Sequence, residues 1–201
     1  MVRIKIGLFG GTFDPVHNGH LAVAETVRTK LDLQKVLFIP AGQPWLKGAR
    51  EITPAEHRLK MVELAIAGKP YFDISAMEIE RPGATYTVDT LTELLKSMGD
   101  VEIYIIIGSD SLEAFPRWKE PARLLKLGYL VTVPRPGYNL PDLTAMYRQM
   151  PGLKERLIIL DEPEIDVSAS DIRRRVKEKL SFEDLVPAKV AAYIKKHKLY
   201  A

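Results

Sequence analysis

The feature that most constrains this chain is a strand, a glycine turn and a helix start close to its beginning, which read IKIGLFGGTFDPVHNGH over residues 4–20. The apolar run predicts a buried strand, and Gly10 and Gly11 have no Cβ atom, so a bound group can approach their backbone N–H groups. His17 and His20 are three residues apart and share a face of the helix that follows. The positive end of that helix suits a phosphate. The alternative is a plain turn with a histidine cap, but the paired histidines favour the phosphate site.

The rest of the chain alternates between apolar runs and helical patterns. Strands are predicted near 2–9, 36–39, 72–75, 101–107, 129–133 and 157–160. Helices are predicted near 21–31, 54–67, 86–97, 109–115, 121–127, 141–150, 170–179 and 187–196. This alternation predicts an α/β fold, a doubly wound parallel sheet with helices on both faces. At 201 residues we expect a single domain over 1–201, with a small helical part after about residue 168.

Polar and charged residues follow several of the predicted strands. In a doubly wound sheet, ligands bind at the carboxyl ends of the strands, where the strand order reverses. Lys47 lies in the long loop after the second strand, Gly108 and Asp110 follow the fourth, and Arg135 follows the fifth. A loop cation is usually solvated, so only their location singles out Lys47 and Arg135. Asp110 fits either a ribose-binding carboxylate or the N-cap of the next helix.

A second motif, VSASDIR, stands at the start of a late helix, at residues 167–173. Ser168 and Asp171 have the spacing of a capping box, which favours a well-capped helix. The same helix end, with the Ser170 hydroxyl and the Arg173 guanidinium, would also hold a polyphosphate. These residues alone leave both interpretations open. Trp118, in a proline-rich turn, is likewise either a core residue or a surface on which an aromatic ring stacks.

Composition and motif content exclude or disfavour several classes of protein. The chain has no cysteine, which excludes disulfides and cysteine-based metal sites. Its 29 basic and 26 acidic residues give a net charge of +3, which is weak support for nucleic acid as a partner. No apolar run is long enough to span a membrane, so we expect a cytoplasmic protein that binds neither nucleic acid nor membrane. His17, His20 and nearby Asp14 suit phosphate better than zinc, and we expect no resident metal site. A homo-oligomer is compatible with the sequence.

Residues 10–20 resemble the signature of the nucleotidylyltransferase superfamily, whose active-site core is His-x-Gly-His, here His17 to His20. Residues 168–173 are similar to its second motif, with Ala169 and Ser170 where Ser-Thr is usual. Within the superfamily the chain resembles the bacterial nicotinate mononucleotide adenylyltransferases over nearly its whole length. The segments that carry this resemblance are PAG at 40–42 leading to Lys47, RPGATYTVDTL at 81–91, IGSD at 107–110, Trp118, and RPG at 135–137.

The resemblance implies a Rossmann-like fold and an enzyme that transfers the adenylyl group of ATP, bound with Mg²⁺, to nicotinate mononucleotide. The mononucleotide phosphate attacks the α-phosphorus in line. Deamido-NAD (nicotinate adenine dinucleotide) and pyrophosphate form without a covalent enzyme intermediate. The residues agree, because they offer groups for positioning and charge stabilisation and no obvious nucleophile.

The resemblance also implies roles for individual residues. His17 and His20 hold ATP phosphates and stabilise the transition state, and Arg173 acts with them in catalysis. The pyridine ring stacks on Trp118, with Thr85 beside the carboxylate of the ring. The ATP-binding set is Gly10, Gly11, Thr12, His17, His20, Gly108, Asp110, Ser170 and Arg173, and the substrate-binding set is Lys47, Thr85, Trp118 and Arg135. Asp110 takes the ribose, Ser170 and Arg173 take the departing pyrophosphate, and Lys47 and Arg135 contact phosphate.

Other functions would use the same residues. The same transfer to nicotinamide mononucleotide or to phosphopantetheine is the nearest alternative, although Trp118 argues against phosphopantetheine, which has no aromatic ring. A basic Lys119 suits a carboxylate and favours the acid over the amide. A non-catalytic nucleotide- or RNA-binding module would be expected to lack a motif histidine or Arg173, and all three are present. Leu46 replaces the histidine that the family often has before Lys47.

Overall fold

The computed structural model describes residues 3–43, 52–134, 140–163 and 166–201. Within these ranges six strands form one sheet, and every neighbouring pair is parallel. The strands are β1 Ile4–Gly11, β2 Lys35–Pro40, β3 Phe72–Ile74, β4 Val101–Gly108, β5 Gly128–Val133 and β6 Leu157–Ile159. All the predicted strands are confirmed, with ends that differ by no more than two residues.

Helices connect the strands. Over the described ranges they are α1 Asn18–Lys30, α2 Ala55–Ile66, α3 Met77–Glu80, α4 Thr87–Met98, α5 Ser109–Ala114, α6 Pro121–Leu127, α7 Leu143–Gln149, α8 Leu153–Arg156, α9 Ala169–Lys177 and α10 Ala188–His197. The sequence predicts all of these except α3 and α8. Each of those two has four residues, and a single turn gives no repeat for a periodicity argument to find. Among the described residues, no helix is both long and apolar enough to cross a membrane.

The apolar side chains divide between the two faces of the sheet, as the alternation of a strand requires. In β4, Ile103, Ile105 and Ile107 belong to one core cluster, and Tyr104 and Ile106 belong to the other. The first cluster includes apolar residues of α4, α6 and α8, and the second includes those of α1, α2 and α10. The predicted doubly wound arrangement, with helices on both faces, is therefore confirmed.

The order of the strands determines where a ligand can bind. The order is β3-β2-β1-β4-β5-β6, so the chain moves outward from β1 to β3 and then returns to the other side of β1. Where the order reverses, the connections after neighbouring strands leave in opposite directions and a crevice forms at their carboxyl ends. The pairing of β1 with β4 places Phe9 beside Ile106, so the glycine turn and Gly108 lie at the same edge of the sheet.

Candidate active site

A cleft of about 560 Å³ opens at the carboxyl ends of β1 and β4. Lys47 and Arg135 lie outside the described residues. All the other site residues that the sequence predicts line this cleft, and they are Gly10, Gly11, Thr12, His17, His20, Thr85, Gly108, Asp110, Trp118, Ser170 and Arg173.

Gly10 and Gly11 are the last two residues of β1, and they differ in the space beside their backbone. A Cβ atom added to Gly10 would meet no atom within 4 Å, so the space beside its backbone is open to a ligand. A Cβ atom on Gly11 would lie 3.1 Å from the ring of Phe13. Phe13 is buried, has a left-handed φ of 49° and packs edge-on against Phe9. Close approach to the backbone is thus open at Gly10, whereas Phe13 packs over Gly11.

The paired histidines lie together at the start of α1. His17 is the N-cap residue of this helix and is 2% exposed. The two imidazole rings are stacked, with centroids 3.7 Å apart. The backbone N–H of His17 donates to Nδ1 of His20 at 3.2 Å, so this nitrogen is an acceptor. The proton of a neutral His20 therefore lies on Nε2, which makes Nε2 a hydrogen-bond donor.

The second motif joins the first through Arg173. The Ser168 hydroxyl accepts a hydrogen bond from the N–H of Asp171 at 3.1 Å, so the predicted helix cap is confirmed. Arg173 donates from Nη2 to the Ser170 hydroxyl at 3.1 Å and from Nη1 to the carbonyl oxygen of Asp14 at 2.6 Å. This last bond joins residues 159 positions apart and brings both motifs to one cleft. The cap therefore coexists with a cationic group at the same helix end.

The next two arginines of α9 form ion pairs on the helix surface. Arg174 pairs with Asp171 and Glu178, and Arg175 pairs with Asp171. Hydrogen bonds from the two guanidinium groups hold the pKa of Asp171 below its usual range. These pairs are exposed, so they contribute little to stability.

Asp110 lies in the first turn of α5, directly after β4. The N-cap of this helix is Gly108, so the alternative in which Asp110 is the cap is wrong. Asp110 is exposed and lines the cleft. A Cβ atom on Gly108 would lie 2.6 Å from Oδ1 of Asp110, so a larger residue at this position would have to displace the carboxylate. A carboxylate at this edge can accept hydrogen bonds from ligand hydroxyls.

Thr85 and Trp118 contribute buried polar groups to another part of the cleft. Thr85 is 5% exposed, and the Trp118 ring packs against Phe115 with centroids 5.5 Å apart. The Trp118 indole N–H is buried and has no hydrogen-bond partner among the described residues, whereas the buried Thr85 hydroxyl interacts with the Glu78 carboxylate. Most buried polar groups in proteins are hydrogen-bonded, so the indole N–H is a group that a ligand would satisfy. Trp118 thus packs against the core and also lines the cleft.

Lys119 lines the cleft with its ammonium group already paired. It donates to both carboxylate oxygens of Asp89, at 2.9 and 3.2 Å, and lies 4.7 Å from the ring centroid of Tyr86. A substrate carboxylate at this place would therefore compete with Asp89.

Glu78 is a cleft residue that the sequence did not reveal. Its carboxylate is buried and accepts a hydrogen bond from the Thr90 hydroxyl at 2.7 Å. Burial raises the pKa of Glu78, and the hydrogen bond from Thr90 opposes this rise. A Cβ atom on Gly42 would lie 2.1 Å from the carbonyl oxygen of Glu78, so the segment after β2 packs directly on α3.

Arg58, also not predicted, holds the segments after β1 and β2 together around the turn. It lies on α2 and is 1% exposed. Its guanidinium donates to the carbonyl oxygens of Thr12 at 2.8 Å, Gly42 at 3.2 Å and Thr53 at 2.9 Å. Burial lowers the pKa of this guanidinium, and the negative charge of Asp14 acts in the opposite direction. The loops after β1 and β2 are thus fixed by one buried cation.

Tyr200 is the third residue that only the structure reveals. Its hydroxyl donates to Oδ1 of Asp14 at 2.8 Å, although the two residues are 186 positions apart. Burial raises the pKa of Tyr200, so its phenol stays protonated and remains a donor.

The described residues do not form a dedicated metal site. Among them, no group of three or more histidine, aspartate or glutamate side chains is placed to hold a metal ion. Mg²⁺ commonly binds through substrate phosphates, water and one or two carboxylates, so such an ion can enter with a nucleotide.

Comparison with known proteins gives consistent results. A model of the cytidylyltransferase-like family matches residues 8–175. The probable nicotinate-nucleotide adenylyltransferase of Dehalococcoides mccartyi is 49% identical over 201 residues, which cover 100% of this chain and 98% of that protein. The protein of that name from Thermomicrobium roseum is 46% identical over 196 residues, which cover 98% and 91%. The solved structure of Plasmodium falciparum nicotinic acid mononucleotide adenylyltransferase complexed with NaAD has a TM-score of 0.80 and 18% identity, with 98% of both chains covered. This structural match confirms the fold.

Proposed function

The chain belongs to the cytidylyltransferase-like family, and from this membership and its cleft we propose that it is a nicotinate-nucleotide adenylyltransferase. It transfers AMP from ATP to nicotinate mononucleotide and releases pyrophosphate, giving nicotinate adenine dinucleotide for NAD biosynthesis. The observation that carries the proposal is the 2.6 Å hydrogen bond from Arg173 to the carbonyl oxygen of Asp14. It assembles both motifs around one cleft, as a reaction on a triphosphate requires.

The reaction is a direct in-line transfer. A phosphate oxygen of the mononucleotide attacks the α-phosphorus of ATP and forms a new P–O bond. The bond from that phosphorus to the bridging oxygen breaks, and its electron pair leaves with pyrophosphate. Both reactants are anionic, so the protein contributes mainly by positioning them and by stabilising the charge that develops.

The phosphate-binding groups surround the start of α1. His20 donates from Nε2 to a phosphate oxygen at the reacting centre, with His17 stacked beside it. The backbone of Gly10, Gly11 and Thr12 approaches the same phosphates. Ser170 and Arg173 hold the departing pyrophosphate, and the fixed guanidinium fork suits a dianionic group.

The remaining contacts recognise the two nucleosides. Asp110 accepts hydrogen bonds from the ribose of ATP, and Gly108 leaves room for its carboxylate. Trp118 stacks on the pyridine ring and Thr85 lies beside the carboxylate of the ring. Lys47 and Arg135, outside the described residues, contact phosphate. Mg²⁺ enters as MgATP, and we place the reaction in the cytoplasm.

A pyrophosphate-release assay tests the proposal. The protein is supplied with ATP and Mg²⁺, together with nicotinate mononucleotide, nicotinamide mononucleotide or phosphopantetheine in parallel reactions. The expected result is release with the nicotinate nucleotide at the highest kcat/KM. Pyrophosphate release with phosphopantetheine alone would show that phosphopantetheine, and not nicotinate mononucleotide, is the acceptor. Absence of pyrophosphate release with all three would refute adenylyl transfer to these acceptors.

A further inference from the structure

Tyr200 ties the segment after α10 to the phosphate-binding turn. We propose that Tyr200 is a positioning residue for adenylyl transfer, which fixes the turn between Gly11 and His17 by holding the carboxylate of Asp14. This proposal rests on the proposed function but goes beyond it, because Tyr200 is not among the residues that line the cleft described above.

Asp14 is held at two points by residues from late in the chain. Its carboxylate accepts from the Tyr200 hydroxyl at 2.8 Å, and its carbonyl oxygen accepts from Arg173 at 2.6 Å. Asp14 is 3% exposed, so its carboxylate depends on protein donors for its hydrogen bonds. A shift of the Asp14 side chain would therefore also move the carbonyl oxygen of Asp14, which accepts the hydrogen bond from Arg173.

A buried positive charge near Asp14 adds to the effect of its hydrogen bond with Tyr200. The guanidinium of Arg58 is buried close by, and Asp14 supplies a negative charge that acts on it. Arg58 in turn holds the carbonyl oxygen of Thr12, two residues before Asp14. The turn is therefore clamped on both sides of Phe13, by Arg58 at Thr12 and by Tyr200 at Asp14.

The backbone after α10 has an unusual conformation at the residue that contacts Asp14. After α10, Lys198 has a φ of 51° and Tyr200 has a φ of 65°, both in the left-handed region. Non-glycine residues rarely adopt this conformation, and a bulky aromatic residue does so at a cost in energy. Tyr200 combines this conformation with packing against the core cluster of α1, α2 and α10 and with the hydrogen bond to Asp14.

Tyr193 provides a matched control. It is half-buried like Tyr200, lies on α10, and its hydroxyl makes one hydrogen bond, to Nδ1 of His57 on α2 at 2.8 Å. Tyr193 does not line the cleft. Tyr193→Phe and Tyr200→Phe therefore remove the same group from the same part of the chain, and only the second touches the turn.

The experiment measures kcat, the KM values for ATP and for nicotinate mononucleotide, and the melting temperature of the wild type and both variants. For Tyr200→Phe we expect a raised KM for ATP and a lowered kcat, so that kcat/KM for ATP falls about tenfold, the size expected for a lost hydrogen bond to a charged group. The KM for the mononucleotide should not change, because Thr85 and Trp118 are untouched. Tyr193→Phe should leave both KM values and kcat at the wild-type level.

Two outcomes would overturn the proposal. One is a Tyr200→Phe enzyme with wild-type kcat and KM for ATP. The other is a Tyr200→Phe enzyme with a lowered kcat, unchanged KM values and a matching fall in melting temperature. A smaller fraction of folded protein would by itself lower the apparent kcat and leave both KM values unchanged. A wild type that releases no pyrophosphate refutes the proposed function instead. Calorimetric titration with MgATP still tests Tyr200 in that case, because the variant should bind more weakly than Tyr193→Phe.

Discussion

The two ends of the cleft are organised in different ways. In the half proposed to bind phosphate (the phosphate half, residues 10–20 and 168–173), side chains from distant parts of the chain hold the turn in place. Arg58 and Arg173 donate to backbone carbonyl oxygens, and Tyr200 donates to the carboxylate of Asp14. In the half proposed to bind the pyridine ring (the pyridine half), the buried Trp118 indole N–H has no hydrogen-bond partner among the described residues, and the Thr85 hydroxyl is buried near the Glu78 carboxylate. The proposed phosphate half is thus organised by the protein itself, as is expected where preorganised groups stabilise developing charge. In the proposed pyridine half, a ligand would supply the hydrogen-bond partner that the Trp118 indole N–H lacks.

The largest expected effect is in the phosphate half. His20→Ala removes the Nε2 donor at the reacting phosphate and should lower kcat about a hundred- to a thousandfold. The protein should stay folded, because the His20 side chain is only half-buried, although the variant loses the Nδ1 acceptor of the His17 N–H. His57→Ala, a histidine on α2 outside the cleft, is the matched control and should retain turnover. Steady-state kinetics and melting curves of both variants test this prediction. Near-normal turnover of His20→Ala would show that Nε2 of His20 is not needed at the reacting phosphate.

A substitution in the pyridine half should change the KM for nicotinate mononucleotide more than it changes kcat. Trp118→Phe keeps an aromatic ring but removes the indole N–H and part of the stacking area. The KM for nicotinate mononucleotide should rise about tenfold, while the KM for ATP stays constant. Initial-rate measurements with each substrate varied in turn provide the test. An equal rise in both KM values would show that the two halves do not recognise separate substrates.

A smaller effect is expected where β4 meets the cleft. In Gly108→Ala the new Cβ atom would lie 2.6 Å from Oδ1 of Asp110 and must push this carboxylate aside. The KM for ATP should rise about fivefold, the value of one lost hydrogen bond, with little change in melting temperature because the displaced side chain is exposed. An unchanged KM for ATP would mean that Asp110 does not contact the ribose.

The smallest effect concerns a buried charge in the pyridine half. Burial raises the pKa of Glu78 in the folded protein above its usual 4.5. Between these two pKa values the folded state keeps a proton that the unfolded state has released, so the free energy of unfolding falls as the pH rises through that window. Glu78→Gln keeps an acceptor for Thr90 and removes this dependence.

Urea unfolding of the wild type and the variant at a series of pH values measures this dependence. The variant should gain stability relative to the wild type as the pH rises above about 4.5. Glu80→Gln, an exposed glutamate on the same helix, should show no such trend. A pH-independent difference between Glu78→Gln and the wild type would mean that Glu78 titrates alike in both states.

Local patterns predicted much of this structure. The apolar runs fixed the six strands, and the spacing of His17 and His20 placed both rings at one helix start. Asp110 was the ambiguous case, because an acidic residue after a strand suits both a ribose-binding carboxylate and the N-cap of the next helix. The structure places Gly108 at the cap, and the carboxylate of Asp110 lies beside it.

The residues that the sequence did not reveal act across long separations. Nothing near Tyr200 indicates that its hydroxyl contacts Asp14, because that contact depends on the complete fold. Arg58 did leave a signal. It stands three and four residues before Met61 and Val62, in the apolar stripe that α2 buries, and a cation in such a stripe needs buried acceptors. The roles of all the predicted site residues stay predictions, including those of Lys47 and Arg135, as do the single domain, the homo-oligomer, the use of Mg²⁺ and the cytoplasmic location.

The hydrogen bond between Arg173 and Asp14 has a consequence for folding as well as for chemistry. Contacts between residues 159 positions apart carry the entropy of closing a long loop, and chains rich in such contacts fold slowly. A triphosphate that contacts both motifs would bind the folded chain, in which residues 10–20 and 168–173 lie together, and not the unfolded chain. By mass action it then stabilises the folded chain against unfolding and against proteolysis of the opened form. A bound triphosphate would therefore lower the population of the unfolded chain, in addition to serving as a substrate.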